Sequence, residues 1–95
     1  MLTYGDVEVR ATPNAIGVYT AIAVTNTNDK PASYQIKISI ADGEGWVAYN
    51  NFRIQNVQPG AIGRDATVIG GKHLGPIPQH PKIYVDEYTP TVSDR

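Results

Sequence analysis

The sequence predicts an all-β chain, a sandwich of about seven antiparallel strands. Three observations predict it. Apolar and polar residues alternate with period two through most of the chain. Turn-forming clusters recur roughly every 8–15 residues, the rhythm of short strands joined by tight connections. No window of about 11 residues or more carries a helical apolar stripe.

GDVEVRA opens the series, with Val7, Val9 and Ala11 facing inward and Asp6, Glu8 and Arg10 outward. In GVYTAIAVTN, Val18, Ile22 and Val24 share a face, while Ala21 and Ala23 are small enough for either. NTNDKPAS is rich in turn formers, and Pro31 pushes Lys30 towards extended geometry. SYQIKISIAD alternates most cleanly: Tyr34, Ile36, Ile38 and Ile40 fall on one face, Ser33, Gln35, Lys37 and Ser39 on the other. ADGEG closes that strand through Asp42-Gly43, a hairpin signal. WVAYNNFRIQNV holds one bent strand or two short ones, with Trp46, Phe52, Ile54 and Val57 in the core. The change of parity between Ile54 and Val57 suggests a bulge or a strand end. Pro59-Gly60 sits where a type II turn wants it. ATVIG supplies another strand with Val68 inward, and Ile83 and Val85 alternate with Tyr84 and Asp86 in the last. The tyrosines at 4, 19, 34 and 49 are evenly spaced, but their neighbours share nothing, so no repeat is read from them.

Ninety-five residues make one domain, 1–95, whose net stability should be on the order of 5–10 kcal/mol. The chain has no cysteine, so neither disulfides nor thiolate chemistry is available to it. Its net charge is −1, and its eight Lys and Arg residues form no run, which argues against nucleic-acid binding. No apolar run approaches the roughly 20 residues that span a bilayer as a helix, so membrane insertion is not expected. MLTYGDVEVR has neither the basic nor the apolar region of a signal peptide. Either the gene begins at Met1 or an upstream segment has been removed; the strand pattern beginning almost at Met1 favours the first.

Several short motifs carry a resemblance. The strand end Val24-Thr25-Asn26 precedes a polar turn. Tyr34, Ile36, Ile38 and Ile40 then lead to Asp42 with Gly43 or Gly45, and Asn56-Val57 leads to Pro59-Gly60. Over residues 5 to 69 this order resembles the FxLYD-like actinobacterial domains. The resemblance implies an immunoglobulin-like sandwich with a general binding role, usually in exported or envelope-tethered proteins. The cysteine-free chain, the lack of a leader and the long Gly/Pro loop depart from that pattern.

Catalytic chemistry is not expected. Ser33, Ser39 and Ser93 lie in a turn, on an outward strand position and in the tail, none with the context of a nucleophile. His73 and His80 are the only histidines and too few to hold a structural metal, and no cofactor motif is present. Asp42 and Glu44 read as turn residues rather than calcium ligands. Asp86-Glu87, if set beside Asp6 and Glu8 across a strand pair, would form a solvated acidic patch. Trp46 is either a core residue or an exposed binding anchor, and its large ring favours the core.

The stretch GGKHLGPIPQHPK, residues 70–82, is far longer than a hairpin requires. Three prolines stiffen it and three glycines allow sharp bends. Two readings stand. In one, Lys72, His73, Leu74, Pro76, Ile77, Pro78 and His80 lie against a protein partner or a neighbouring copy. In the other, Leu74 and Ile77 cap the domain's own core as a crossover between sheets. The polar tail at 89–95 is expected to lie along a neighbour as an arm.

The expected role is a non-catalytic structural or interaction module with protein partners, set in a larger assembly such as a phage capsid shell. The setting would be the virion or the cytoplasm of the producing cell. The alternatives are the ectodomain of a secreted or envelope protein, and a small carbohydrate-binding module. A glycan site would need exposed rings in a row, to which Tyr19, Tyr49, Tyr84 and Tyr88 could contribute.

Overall fold

A computed structural model describes residues 2–92 of the chain. Seven strands follow in order: β1 Leu2–Tyr4, β2 Val7–Pro13, β3 Val18–Thr25, β4 Ala32–Ala41, β5 Val47–Val57, β6 Ile62–Ile69 and β7 Lys82–Val92. They form two antiparallel sheets, a four-stranded one in the order β1-β2-β3-β6 and a three-stranded one in the order β5-β4-β7. This is the sandwich that the alternating pattern predicts, in the four-plus-three division of an immunoglobulin-like domain. One 3-10 turn, Lys72–Leu74, interrupts the crossover from β6 to β7.

The core is built from the residues that share a parity. Val7 and Val9 of β2, Val18, Ile22 and Val24 of β3, and Tyr34, Ile36, Ile38 and Ile40 of β4 are all buried between the sheets. Each such aliphatic or aromatic side chain contributes about 1.5–3 kcal/mol through removal from water. β4 alternates most cleanly because it is the central strand of its sheet, paired on both sides. Phe52, Ile54 and Val57 come from β5, which is a single strand. The parity change falls where the pairing with β4 slips, between Ala32↔Val57 and Tyr34↔Ile54. Asn56 sits in that bulge with φ 56°, and its backbone N–H donates to Ser33 Oγ at 3.1 Å. The turn after β5 has its Ala61 N–H to Gln58 carbonyl bond at 2.9 Å and Gly60 at φ 78°, as a type II turn requires.

Four expectations are corrected. In β6 the inward residue is Ile69, not Val68: the strand starts at Ile62 and runs against β3, so Ile69 stands opposite buried Val18 and Val68 opposite outward Tyr19. The series opens one strand earlier than GDVEVRA: β1 precedes it and folds back at Gly5-Asp6 so that Tyr4 pairs with Val7. The tail does not leave the domain over 89–92. Those residues continue β7 along β4, with Thr89 opposite Gln35 and Val92 opposite Ala32. Pro90 is tolerated there because β7 is an edge strand; residues 93–95 lie outside the described part of the chain. Finally, Asp86 and Glu87 do not join Asp6 and Glu8, because β7 pairs with β4 in the opposite sheet from β2.

Asn26 holds one end of the sandwich together. Its side chain is fully buried. Nδ2 donates to the carbonyls of Lys30 and Val57, each at 2.8 Å, and Oδ1 accepts from the backbone and side-chain nitrogens of Asn28, each at 2.9 Å. Its own backbone bonds Ala61 and Gly60. The end of β3, the turn after it, the end of β5 and the Pro59-Gly60 turn are thus tied to one residue.

Candidate functional site

At the opposite end of the sandwich stand the β2–β3 hairpin, the Asp42–Trp46 turn and the long loop. Asp42 shapes the turn: its Oδ1 accepts from the backbone N–H groups of Glu44 and Trp46 at 2.6 and 3.0 Å. Trp46 is thereby directed inward and is buried. The loop then crosses over its ring. Gly70 rests so closely on the indole that a Cβ there would lie 2.5 Å from Trp46 Cη2, and its φ of 71° favours glycine independently. The Trp46 indole N–H donates to the Gly71 carbonyl at 3.3 Å. Trp46 is thus both core residue and anchor for the loop.

The seven loop residues singled out in the sequence divide into two sets. Pro78 is buried and Ile77 is half-buried against the core, so this part of the loop closes the sandwich. Lys72, His73, Leu74, Pro76 and His80 are exposed. The 3-10 turn carrying the first three is closed by Leu74 N–H to Gly71 carbonyl and Gly75 N–H to Lys72 carbonyl bonds, at 3.2 and 3.0 Å. Leu74 is 39% exposed, Ile16 in the neighbouring hairpin 66% and Val47 beside Trp46 56%. The three segments meet around Gly70 and Gly71: the Ile16 carbonyl and the His73 ring both flank Gly71. Periodicity gave no sign of Ile16, an isolated apolar residue in a turn, nor of Val47, which stands on the outward parity of its strand.

The tyrosines are dispersed by the fold. Tyr34 and Tyr88 face inward and stack with centroids 6.1 Å apart, and Tyr4 meets Tyr88 edge-on at 6.0 Å. Burial holds the Tyr34 phenol above its ordinary pKa of 10.0, with Asp6 acting in the same direction. Burial does the same for Tyr88, reinforced by Tyr34, Asp6 and Tyr4. A phenol whose pKa is raised by folding keeps its proton where the unfolded chain has lost it. Its contribution to stability is complete below the unfolded value and disappears as pH rises through the folded one. The melting temperature is therefore expected to fall as pH rises past the ordinary phenol value of about 10, and to fall less steeply in Tyr88→Phe. Identical pH profiles for the two proteins would contradict this.

Tyr19 and Tyr49 point outward from different sheets. Tyr49 and Tyr84 both stand opposite Ser39, one on each side, in a single row across the outer face of the three-stranded sheet. On the other sheet, the small side chains of Ala21 and Ala23 leave a shallow trough of about 570 Å³, bounded by Glu8, Arg10, Tyr19 and Arg64. Among the described residues no three His, Asp or Glu side chains gather as a metal site would need. No helix there is long and apolar enough to cross a membrane. The chain matches no protein-family model, and no curated protein and no solved structure is significantly similar to it.

Proposed function

We propose that the chain is a non-catalytic structural and interaction module that meets a protein partner through the end of the sandwich bearing the 70–81 loop. One observation carries this reading. Leu74 and Ile16 are exposed around a loop whose base and far limb are fixed by Trp46, Ile77 and Pro78. An apolar tip on a pre-ordered loop loses little conformational entropy on docking. Lys72, His73 and His80 supply polar groups around the tip, the usual composition of an interface rim. The resemblance to FxLYD-like domains is proposed on the same footing. It is supported by Asn26, Val57 and Gly60, which belong to its motifs and are bonded together in space.

The setting we propose is a large assembly such as a phage capsid shell, where the module would serve as a decoration or minor component. An exported or envelope-tethered protein is the alternative. Sedimentation of the native protein from its source separates the two: recovery with large particles fits the first, recovery with the envelope the second. The contact itself is tested with Leu74→Asp combined with Ile16→Asp. Both side chains are exposed, so the melting temperature should hardly move, while incorporation into the assembly should drop at least about tenfold, as loss of a central apolar contact does. Unchanged incorporation would reject the loop end as the contact. Ile77→Asp is unsuitable, because it would charge a side chain packed on the core.

A further inference from the structure

We infer that the outer face of the three-stranded sheet is a binding site for a neutral, extended β-linked polysaccharide, with Tyr49 and Tyr84 as its two platforms. The proposal does not depend on the loop-end contact and concerns a different surface. Tyr49 and Tyr84 are 61% and 49% exposed. Both pair with Ser39, so they stand two strand spacings apart, roughly 9–10 Å. A disaccharide unit of an extended glycan spans that distance and can lay one apolar pyranose face on each ring.

The floor between the rings is small and polar. Ser39 lies there, and its hydroxyl donates to the Asp86 carboxylate. The sequence alone would send Asp86 and Glu87 to opposite faces. A bulge prevents this: the pairing with β4 passes from Lys37↔Glu87 to Ile38↔Val85 and leaves Asp86 as the extra residue. Bulges re-aim side chains: Asp86 shares the face of Tyr84 by alternation, and the bulge turns Glu87 to that face as well, opposite Lys37. On the other side, Lys37 Nζ sits over one face of the Tyr49 ring, 4.6 Å from its centre, which leaves the opposite face for a sugar, and Asn51 stands opposite Lys37.

The charge pattern selects the occupant. Lys37 and Lys82 alternate with Asp86 and Glu87 around the rings, so donors and acceptors are interleaved and neither sign dominates. Such a face suits a ligand that is uncharged and carries hydroxyls along its edges. Exposed Val47 flanks Tyr49 on this face, but the polar floor at Ser39 interrupts the continuous apolar centre that a protein partner would require. The face is a strip whose two sides are the sheet edges β5 and β7, so a polymer can enter and leave across both.

The test is affinity electrophoresis in native gels containing hydroxyethylcellulose, xylan or mixed-linkage β-glucan. Retardation is expected with at least one of them. Tyr49→Ala and Tyr84→Ala should each weaken it about tenfold, and Tyr84→Phe should retain it, because the ring and not the hydroxyl makes the platform. Leu74→Asp should leave it unchanged. No retardation in any of the three gels would overturn the proposal. So would retardation that survives in the folded double alanine variant, which would place binding elsewhere. Sedimentation velocity provides the remaining outcome: self-association abolished by the same two alanines would make the face a contact between copies and reject the glycan.

Discussion

Asn26→Ala is expected to destabilise the protein by about 3–5 kcal/mol, a large part of what a domain of this size possesses. All the hydrogen-bonding capacity of the Asn26 amide is used inside the fold. Truncation leaves the Val57 carbonyl, in a fully buried bond, without its donor at a cost of about 1–3 kcal/mol, and strands the part-buried Lys30 carbonyl and Asn28 donors at a smaller cost each. The corresponding fall in melting temperature is about 15–25 °C, measurable by circular dichroism. Asn26→Asp is a sharper variant because it keeps the shape. A carboxylate would then face two carbonyl oxygens and would be accommodated only with a proton. Its pKa in the folded state would be raised above the unfolded value, so stability would be greatest in acid and lost as pH rises. Asn26→Ala should show no such dependence. A melting temperature within a few degrees of the original for Asn26→Ala would remove Asn26 from its structural role.

The same residue shows where the sequence is readable. Asn26 is visible as the last letter of a strand end and the first of a turn, which is a local property. Its bond to Val57 spans 31 positions and depends on how two sheets stack, which no local pattern encodes. Alternation is most legible in β4, where both neighbours are strands and one face is wholly buried. It is weakest in β6, an edge strand whose Gly63, Arg64, Asp65 and Ala66 carry little apolar contrast, and there the inward residue was displaced by one. The loop could be recognised by its length and composition. Which of its residues plug the core and which face solvent could not, because that depends on where Trp46 lies beneath it. The Tyr49–Ser39–Tyr84 row is likewise a product of pairing register. Two tyrosines 35 positions apart become neighbours only once both flank the same serine.

Trp46→Ala is expected to cost about 3–5 kcal/mol and, in addition, to release the 70–81 loop. The indole fills the space beneath Gly70 and bonds the Gly71 carbonyl, so its removal takes away both the platform and the tether. The amides of Leu74 and Gly75, which close the 3-10 turn on that base, should lose their protection from hydrogen exchange. Trp46→Phe separates the two effects. It keeps an apolar ring but removes the N–H donor, at a cost of about 0.5–1.5 kcal/mol for the lost bond, and should loosen the loop while the sheets stay intact. Gly70→Ala attacks the same contact from above: the added methyl would press on the ring at 2.5 Å, and the backbone there has a positive φ. If the loop end is the contact surface, Trp46→Phe should weaken assembly more than its modest loss of stability would suggest, because a loosened loop must be ordered again on docking. Exchange rates at Leu74 and Gly75 that are unchanged in Trp46→Ala would show that Ile77 and Pro78 alone hold the loop. The presentation of Leu74 would then owe nothing to the tryptophan.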